Sequence, residues 1–166
     1  EEGQRVLIHG AAGGVGQFAT QLARWRGAQV IGTTSRVNSD LVRQLGADQV
    51  IDGATPGFED AVEPVDLVFD TVGGDRLARS PAVICQGGRL VSVAEEPPVS
   101  GAAIQTRYFV VEPDRGQLVE LGRLLDRGVL RVAIDSVYAL EDARAAFERS
   151  LAAGKRGKVV LRVADD

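Results

Sequence analysis

Arg5 to Gly27 reads RVLIHGAAGGVGQFATQLARWRG, and the order of its parts decides the fold. Arg5 to His9 is a short apolar run that ends at a glycine, the pattern of a buried strand. The turn His9 to Gly16 (HGAAGGVG) follows. After it, Val15, Phe18, Ala19, Leu22 and Ala23 recur at i, i+3, i+4, i+7 and i+8, which predicts a helix with one apolar stripe. Gly27 is placed to end that helix in a left-handed cap. Strand, glycine turn and helix in succession make one βα unit.

The alternation continues outward to the end of the chain. Gln29 to Thr33 predicts a second strand, and Ser39 an N-cap for a helix that buries Leu41, Val42 and Leu45 before Gly46 stops it. Val50 to Asp52, Val65 to Asp70 (VDLVFD) and Arg89 to Val93 (RLVSV, after the Gly87-Gly88 turn) predict the third, fourth and fifth strands. Asp75 to Cys85 has helical composition but contains Pro81. An interior proline costs a helix about 3 kcal/mol, so a kink or two short pieces are expected there. Beyond a loop from Ala94 to Gln105, Arg107 to Val111 (RYFVV) predicts a sixth strand, and Asp114 with Gln117 resembles a capping box opening a helix to Arg127. The pattern predicts an α/β fold: a doubly wound parallel six-stranded sheet with helices on both faces. A strand at Leu130 to Ile134, a helix from Glu141 to Ala153 and a strand at Lys158 to Val163 exceed what that sheet requires.

Composition agrees. With 166 residues, 45% of them hydrophobic, the chain can bury one sizeable core. Aromatics are 5% and glycines number 20, which suits a helix-covered sheet better than a β-sandwich. The net charge of −4 and the scatter of 19 cations leave no basic footprint for nucleic acid. One cysteine, Cys85, cannot form an internal disulfide, and one histidine, His9, leaves too few ligands for a protein zinc site; the chain reads as cytoplasmic and metal-free. No apolar run nears the roughly 20 residues that span a bilayer, and the N-terminus has no signal-peptide pattern, so no membrane partner is expected. The first strand begins directly after Glu1-Glu2-Gly3-Gln4 in a chain without methionine, as expected of a piece excised from a longer protein.

The glycine turn lies between a strand and a helix, where a dinucleotide pyrophosphate finds a tight turn, a backbone without Cβ atoms and the positive end of a helix. Its glycines read as AxGxxG through Ala11, Gly13 and Gly16, or as GxxGxxG through Gly10, Gly13 and Gly16. A turn that serves packing alone is the plainer alternative. About 20 residues further on, an NAD site places an acid to bind the ribose hydroxyls. This chain has Gly32-Thr33-Thr34-Ser35-Arg36 there, small hydroxyls and a guanidinium suited to a 2′-phosphate, which favours NADP(H); alternatively Arg36 is a solvated surface charge. The turn also fits the GxxxGxG spacing of short-chain dehydrogenases. Their Tyr-x-x-x-Lys pair is not found, because Tyr108 is followed at the fourth position by Glu112 and Tyr138 by Asp142.

Seven segments in order, HGAAGGVG, GTTSR, LGADQVID, VDLVFDTVGG, GGRLVSV, YFVVEP and GKVVLRV, resemble the medium-chain dehydrogenase/reductases, specifically their zinc-free, quinone-oxidoreductase-like branch. The resemblance implies a Rossmann domain over residues 1–135 and a C-terminal return segment over 136–166 that packs toward a GroES-like domain lying outside this chain. Val159, Val160 and Leu161 should then form an edge strand or be covered by another copy. It further implies that the pyrophosphate lies on Ala12, Gly13, Gly14, Val15 and Gly16, and the 2′-phosphate near Thr34, Ser35 and Arg36. Asp70, Thr71, Val72 and Gly74, with Val93, should line the ribose and nicotinamide side, and Phe109, Val110 and Val111 should border the nicotinamide. Two departures stand out: relatives commonly carry an aromatic residue after the VID segment, where this chain has Gly53, and in relatives a lysine often assists the residue corresponding to Arg36.

By the same resemblance, the activity is hydride transfer from NADPH to a conjugated carbonyl, a quinone or an enone. No catalytic residue is nominated. His9 reads as a partly buried structural residue, Cys85 as a small core or helix residue, and Asp66 and Asp70 as loop hydrogen-bonding groups. Alternatives are a non-catalytic NADP-binding or sensing module and the cofactor domain of a zinc alcohol dehydrogenase. Relatives pair their sixth strands edge to edge, so a homodimer through Arg107 to Val111 is expected.

Overall fold

The computed structural model describes residues 2–54, 56–98, 103–152 and 154–164. Glu1, the middle of the Ala94 to Gln105 loop (99–102) and the expected helix end at Ala153 lie outside the described residues. Six strands, β1 (Arg5–His9), β2 (Gln29–Thr34), β3 (Gln49–Asp52), β4 (Val65–Asp70), β5 (Ile84–Ser92) and β6 (Gln105–Tyr108), form one parallel sheet in the order β3-β2-β1-β4-β5-β6. The chain runs outward from β1 to β3 and then returns to the other side of β1. A crevice therefore opens between the carboxyl ends of β1 and β4.

Period-two alternation buries both faces of this sheet. Leu7, Ile31, Val68 and Leu90 face one way, against Phe58, Val83 and Leu77 of α3 (Gly74–Arg79). Val6, Ile8 and Val30 face the other, against Ala19 and Ala23 of α1 (Gly16–Trp25) and Val42 of α2 (Ser39–Gln44). Full burial of each large apolar side chain stabilises the fold by about 1.5–3 kcal/mol. Gly27 and Gly46 close α1 and α2 with φ of 79° and 108°, as the sequence leads one to expect.

Several boundaries differ from expectation. The sixth strand is β6 at Gln105–Tyr108 and not Arg107 to Val111: its register runs Arg89↔Gln105 to Ser92↔Tyr108, and β5 ends at Ser92, so the Phe109 amide makes the last bond, to the Ser92 carbonyl at 3.3 Å, and Val110 and Val111 lie beyond the end of β5. β5 starts at Ile84, so Cys85 is a strand residue and not a helical one. Pro81 divides the preceding segment into α3 and a 3-10 turn at Ser80–Val83. Ser39 is the first residue of α2 and makes no side-chain cap. Asp114 does cap the helix α4 (Arg115–Asp126), accepting from the Gln117 amide at 2.9 Å. On α1 the apolar stripe is only partly covered, and the buried positions are Gly16, Gln17, Thr20 and Gln21.

Those glutamines explain the last correction. The expected strand at Leu130 to Ile134 is instead β7 (Ile134–Ala139), because the backbone before it bonds to α1 side chains. Gln21 Oε1 accepts from the Arg131 amide (2.9 Å), Gln21 Nε2 donates to the Arg131 carbonyl (3.0 Å), and Gln17 Oε1 accepts from the Ala133 amide (2.7 Å). After a 3-10 turn at Leu140–Asp142, the helix α5 (Ala143–Leu151) crosses to β8 (Lys158–Arg162), which pairs in parallel with β7. Val159, Val160 and Leu161 thus lie in a separate two-stranded sheet, outside the six-stranded one. Inside this unit, Asp135 receives Arg149 Nε at 2.7 Å, the Arg156 amide at 2.9 Å and the Ser136 hydroxyl at 3.0 Å.

Candidate functional site

At the end of β1 the backbone must reverse within a crowded space. Gly10 has φ of 73°, and a Cβ there would lie 2.6 Å from Thr71 Oγ1 and 2.9 Å from Val72 Cγ2, so only glycine fits. Thr71 in turn donates to the His9 carbonyl at 2.8 Å and ties the ends of β1 and β4 together. Gly16 is required by close approach: its Cβ would sit 2.1 Å from the Gly10 carbonyl oxygen. The Gly13 amide donates to that same carbonyl at 2.9 Å. Gly14 and Val15, just ahead of α1, have backbone N–H groups with no acceptor among the described residues. Free amides and the positive end of a ten-residue helix make this turn a cradle for an anion.

An open cleft of about 470 Å³ extends from this turn across the ends of β1, β2 and β4. Gly10, Ala12 and Gly13 form one wall, Thr33, Thr34 and Ser35 a second, and Thr71 and Val72 a third. It thus brings together Ala12, Gly13, Thr34, Ser35, Thr71 and Val72 of the expected site. Arg36 does not line it; the residue is exposed at the start of a 3-10 turn, Arg36–Asn38, on the rim. Gly14, Val15 and Gly16 do not line it; they lead into α1. The Gly74 amide is taken by the Glu95 carboxylate, and Val93 donates its amide to the Asp70 carbonyl at 3.0 Å. Phe109, Val110 and Val111 follow β6 on the surface, the last two 71% and 78% exposed, and they border no described cleft.

Sequence reading misses several wall residues. Arg76 of α3, Asn38, Gly53, Ala54, Gly154 and Lys155 complete the cleft. Asn38 is buried, donates Nδ2 to the Lys155 carbonyl at 3.1 Å, and so fixes the turn before β8 against the cleft. The Lys158 side chain lies over Gly14, its Nζ 2.9 Å from where a Cβ would stand. These cations come from elements that carry no glycine motif, and helical or strand spacing gives no signal of their convergence.

The remaining polar residues are structural. His9 is fully buried, its ring edge-on to Phe58 at 4.9 Å. The Ser80 hydroxyl donates to the Arg76 carbonyl at 2.7 Å, so it accepts from His9 Nε2 at 3.0 Å, and Nδ1 accepts from Thr33 Oγ1 at 3.1 Å; the tautomer is assigned from this network. Burial, assisted by Arg76 and Arg79, pushes the His9 pKa down to about 4, which keeps the ring neutral. Asp70 accepts from the Val72 and Gly73 amides and from the Ser92 hydroxyl (2.9 Å), and so shapes the loop after β4. At the opposite end of the sheet, Asp66 accepts from the Arg5 amide (2.8 Å) and from Cys85 Sγ (3.5 Å). Burial and that carboxylate raise the Cys85 thiol above its ordinary value.

Residues 45–161 match the family described as zinc-binding dehydrogenase. The medium chain reductase pydE of an Acremonium species is 32% identical over 97% of this chain and 52% of its own length. The acryloyl-coenzyme A reductase of Metallosphaera sedula is 31% identical over 96% of this chain and 51% of its own. The quinone oxidoreductase of Coxiella burnetii superposes with a TM-score of 0.85 at 32% identity, over 99% of this chain and 54% of that one. The chain spans about half the length of each of these relatives.

Proposed function

Because this chain belongs to the zinc-binding dehydrogenase family of medium-chain dehydrogenase/reductases, we propose that it is the NADP(H)-binding half of an oxidoreductase that reduces a conjugated carbonyl, an enone or a quinone. The observation that carries the reading is the cleft itself: a glycine turn in which a Cβ at Gly10 or Gly16 would clash, opening at the switch point of a parallel sheet. The pyrophosphate rests on Ala12 to Gly16, where unpaired amides point outward from the head of α1. The adenosine ribose and its 2′-phosphate meet Thr34 and Ser35, with Arg36 exposed on the rim, and the opposite half of the dinucleotide runs past Thr71 and Val72. When bound, the nicotinamide supplies the hydride; the work of this chain is to orient it and to hold the walls of the cleft in place. Reduction of enoyl or quinone substrates by relatives supports the conjugated-carbonyl class.

The family description names zinc, and the donor set does not fit it. Both ring nitrogens of His9 are engaged by Thr33 and Ser80, Cys85 lies at the far end of the sheet, and among the described residues no group of three or more His, Cys, Asp or Glu is placed to hold a metal ion. No helix among the described residues is long and apolar enough to cross a membrane.

The dinucleotide reading is tested by titrating the chain with NADPH and with NADH. Tighter binding of NADPH is expected, and a preference for NADH overturns the NADP assignment. β6 leaves one edge of the sheet unpaired among the described residues, which supports a homodimer through Gln105–Tyr108. A monomeric parent chain in sedimentation, or a Thr106→Pro variant that dimerises like the parent, removes that assembly.

A further inference from the structure

Arg76 and Arg79 stand three positions apart on α3 and have different fates. Arg79 is committed to carboxylates: its Nη1 lies 2.8 Å from Glu59, its Nε lies 3.0 Å from Asp75, and its guanidinium sits over the Phe58 ring. Arg76 is half-buried, faces the cleft and pairs with no carboxylate among the described residues. Its Nη2 lies beside Gly53, 3.3 Å from the point where a Cβ would stand, and that same point is 3.1 Å from the Thr34 carbonyl oxygen. The guanidinium thus reaches the end of β2 through space that Gly53 leaves open. A side chain at position 53 would compete for it.

We propose that Arg76 determines cofactor specificity in this cleft, supplying the charged fork that binds the 2′-phosphate of NADP beside Thr34 and Ser35. The inference rests on reading the cleft as a dinucleotide site. A guanidinium without a carboxylate partner, lodged in a cleft with Thr34 and Ser35, matches a phosphate dianion in charge and in bidentate geometry. The other nearby cations are placed differently. The Lys155 ammonium already donates to the Ser150 carbonyl, and Arg36 stands on the rim outside the wall. Gly53 leaves the room, and Arg76 fills it and supplies the charge.

Calorimetric titration of the chain with adenosine 2′,5′-bisphosphate and with adenosine 5′-monophosphate isolates the 2′-phosphate. The parent should prefer the bisphosphate. In Arg76→Gln, bisphosphate binding should weaken about tenfold or more, the loss expected of a charge-assisted contact, while monophosphate binding stays within about twofold. Arg76→Lys, which keeps the charge and loses the fork, should fall between the two. Gly53→Leu, with Arg76 intact, should displace the guanidinium and lower discrimination as well. A parent that discriminates while Arg76→Gln discriminates equally overturns the assignment to Arg76 and leaves the dinucleotide reading standing. A parent that binds neither nucleotide overturns both, and equal losses of both nucleotides in Arg76→Gln show a role other than phosphate recognition.

Discussion

The six-stranded sheet and the β7–β8 pair use the same strand-helix-strand connection and are held together differently. In the sheet, Leu7, Val30, Val65, Val68 and Leu90 are wholly buried. In the pair no apolar strand residue is buried, and Ile134 and Val137 are about half-exposed. The pair instead hangs on directed polar bonds: Gln17 and Gln21 of α1 to Arg131 and Ala133, Asn38 to Lys155, and Arg149 to Asp135 within. Apolar burial tolerates small shifts, and a few geometric bonds do not. The pair should therefore open at lower free energy than the sheet.

The largest test contrasts one leucine from each region. Leu7→Ala should destabilise the chain by about 2–5 kcal/mol in urea unfolding, the range for a large-to-small change in a closed core. Leu161→Ala, at a position 39% exposed on β8, should cost well under that, within about 1 kcal/mol. Equal losses would mean that the two regions are held alike.

Acid separates them next. His9 is neutral in the fold with its pKa lowered to about 4, against roughly 6.5 when unfolded, so the unfolded chain takes up the proton first. Stability should be independent of His9 above about pH 6.5 and fall as pH drops toward 4, by about 3 kcal/mol. Replacing His9 with Gln should remove that slope from urea midpoints measured between pH 7 and 4. A parent whose midpoint is flat across that window would show that the buried imidazole is not what weakens the sheet.

Much of the sheet is legible in sequence because parallel strands buried on both faces are written as short apolar runs, and VLI at Val6 to Ile8 or VDLVFD at Val65 to Asp70 cannot be read otherwise. The same logic misleads at Val110 and Val111, where apolar residues lie beyond the last rung offered by β5, and at Leu130 to Ala133, where side chains of α1 claim the backbone. Gln17 and Gln21 look like solvent-facing helix positions. They are buried because a segment more than a hundred residues away supplies their partners. The glycine turn and the hydroxyls of Thr34 and Ser35 are local features, and so are readable. Arg76, Asn38 and Lys155 reach the cleft only through tertiary packing, which spacing does not encode.

Asp135 sharpens the contrast within the pair. Hydrogen bonds from Arg149, with further bonds from the Arg156 amide and the Ser136 hydroxyl, hold its carboxyl well below the usual carboxylate range despite its burial. The folded pKa is the lower one, so this contribution is present above the unfolded value, about 3.9, and is lost as pH falls from there toward the folded value. Acidification should thus loosen the sheet first, through His9, and the pair only afterwards. Asp135→Asn at neutral pH should speed amide exchange several-fold in β7 and β8 and leave β1 and β4 unchanged. Faster exchange in all four strands would make the two regions one cooperative unit.

Gln17→Leu is the smallest change and the most local. The side chain is fully buried; its Oε1 serves the Ala133 amide, while its Nε2 has no partner among the described residues. Leucine removes an unsatisfied donor and deprives Ala133 of its acceptor, so the two effects oppose and the net loss of global stability should be only about 1 kcal/mol. Its location is what matters. Hydrogen exchange at Ala133 and along β7 should rise, because the Gln21 bonds to Arg131 would then be the nearest anchor left on α1, while exchange in β1 should not change. If Gln17→Leu leaves Ala133 as protected as before, the pair is held by its packing on α1, and the polar tether that separates it from the sheet carries no stability.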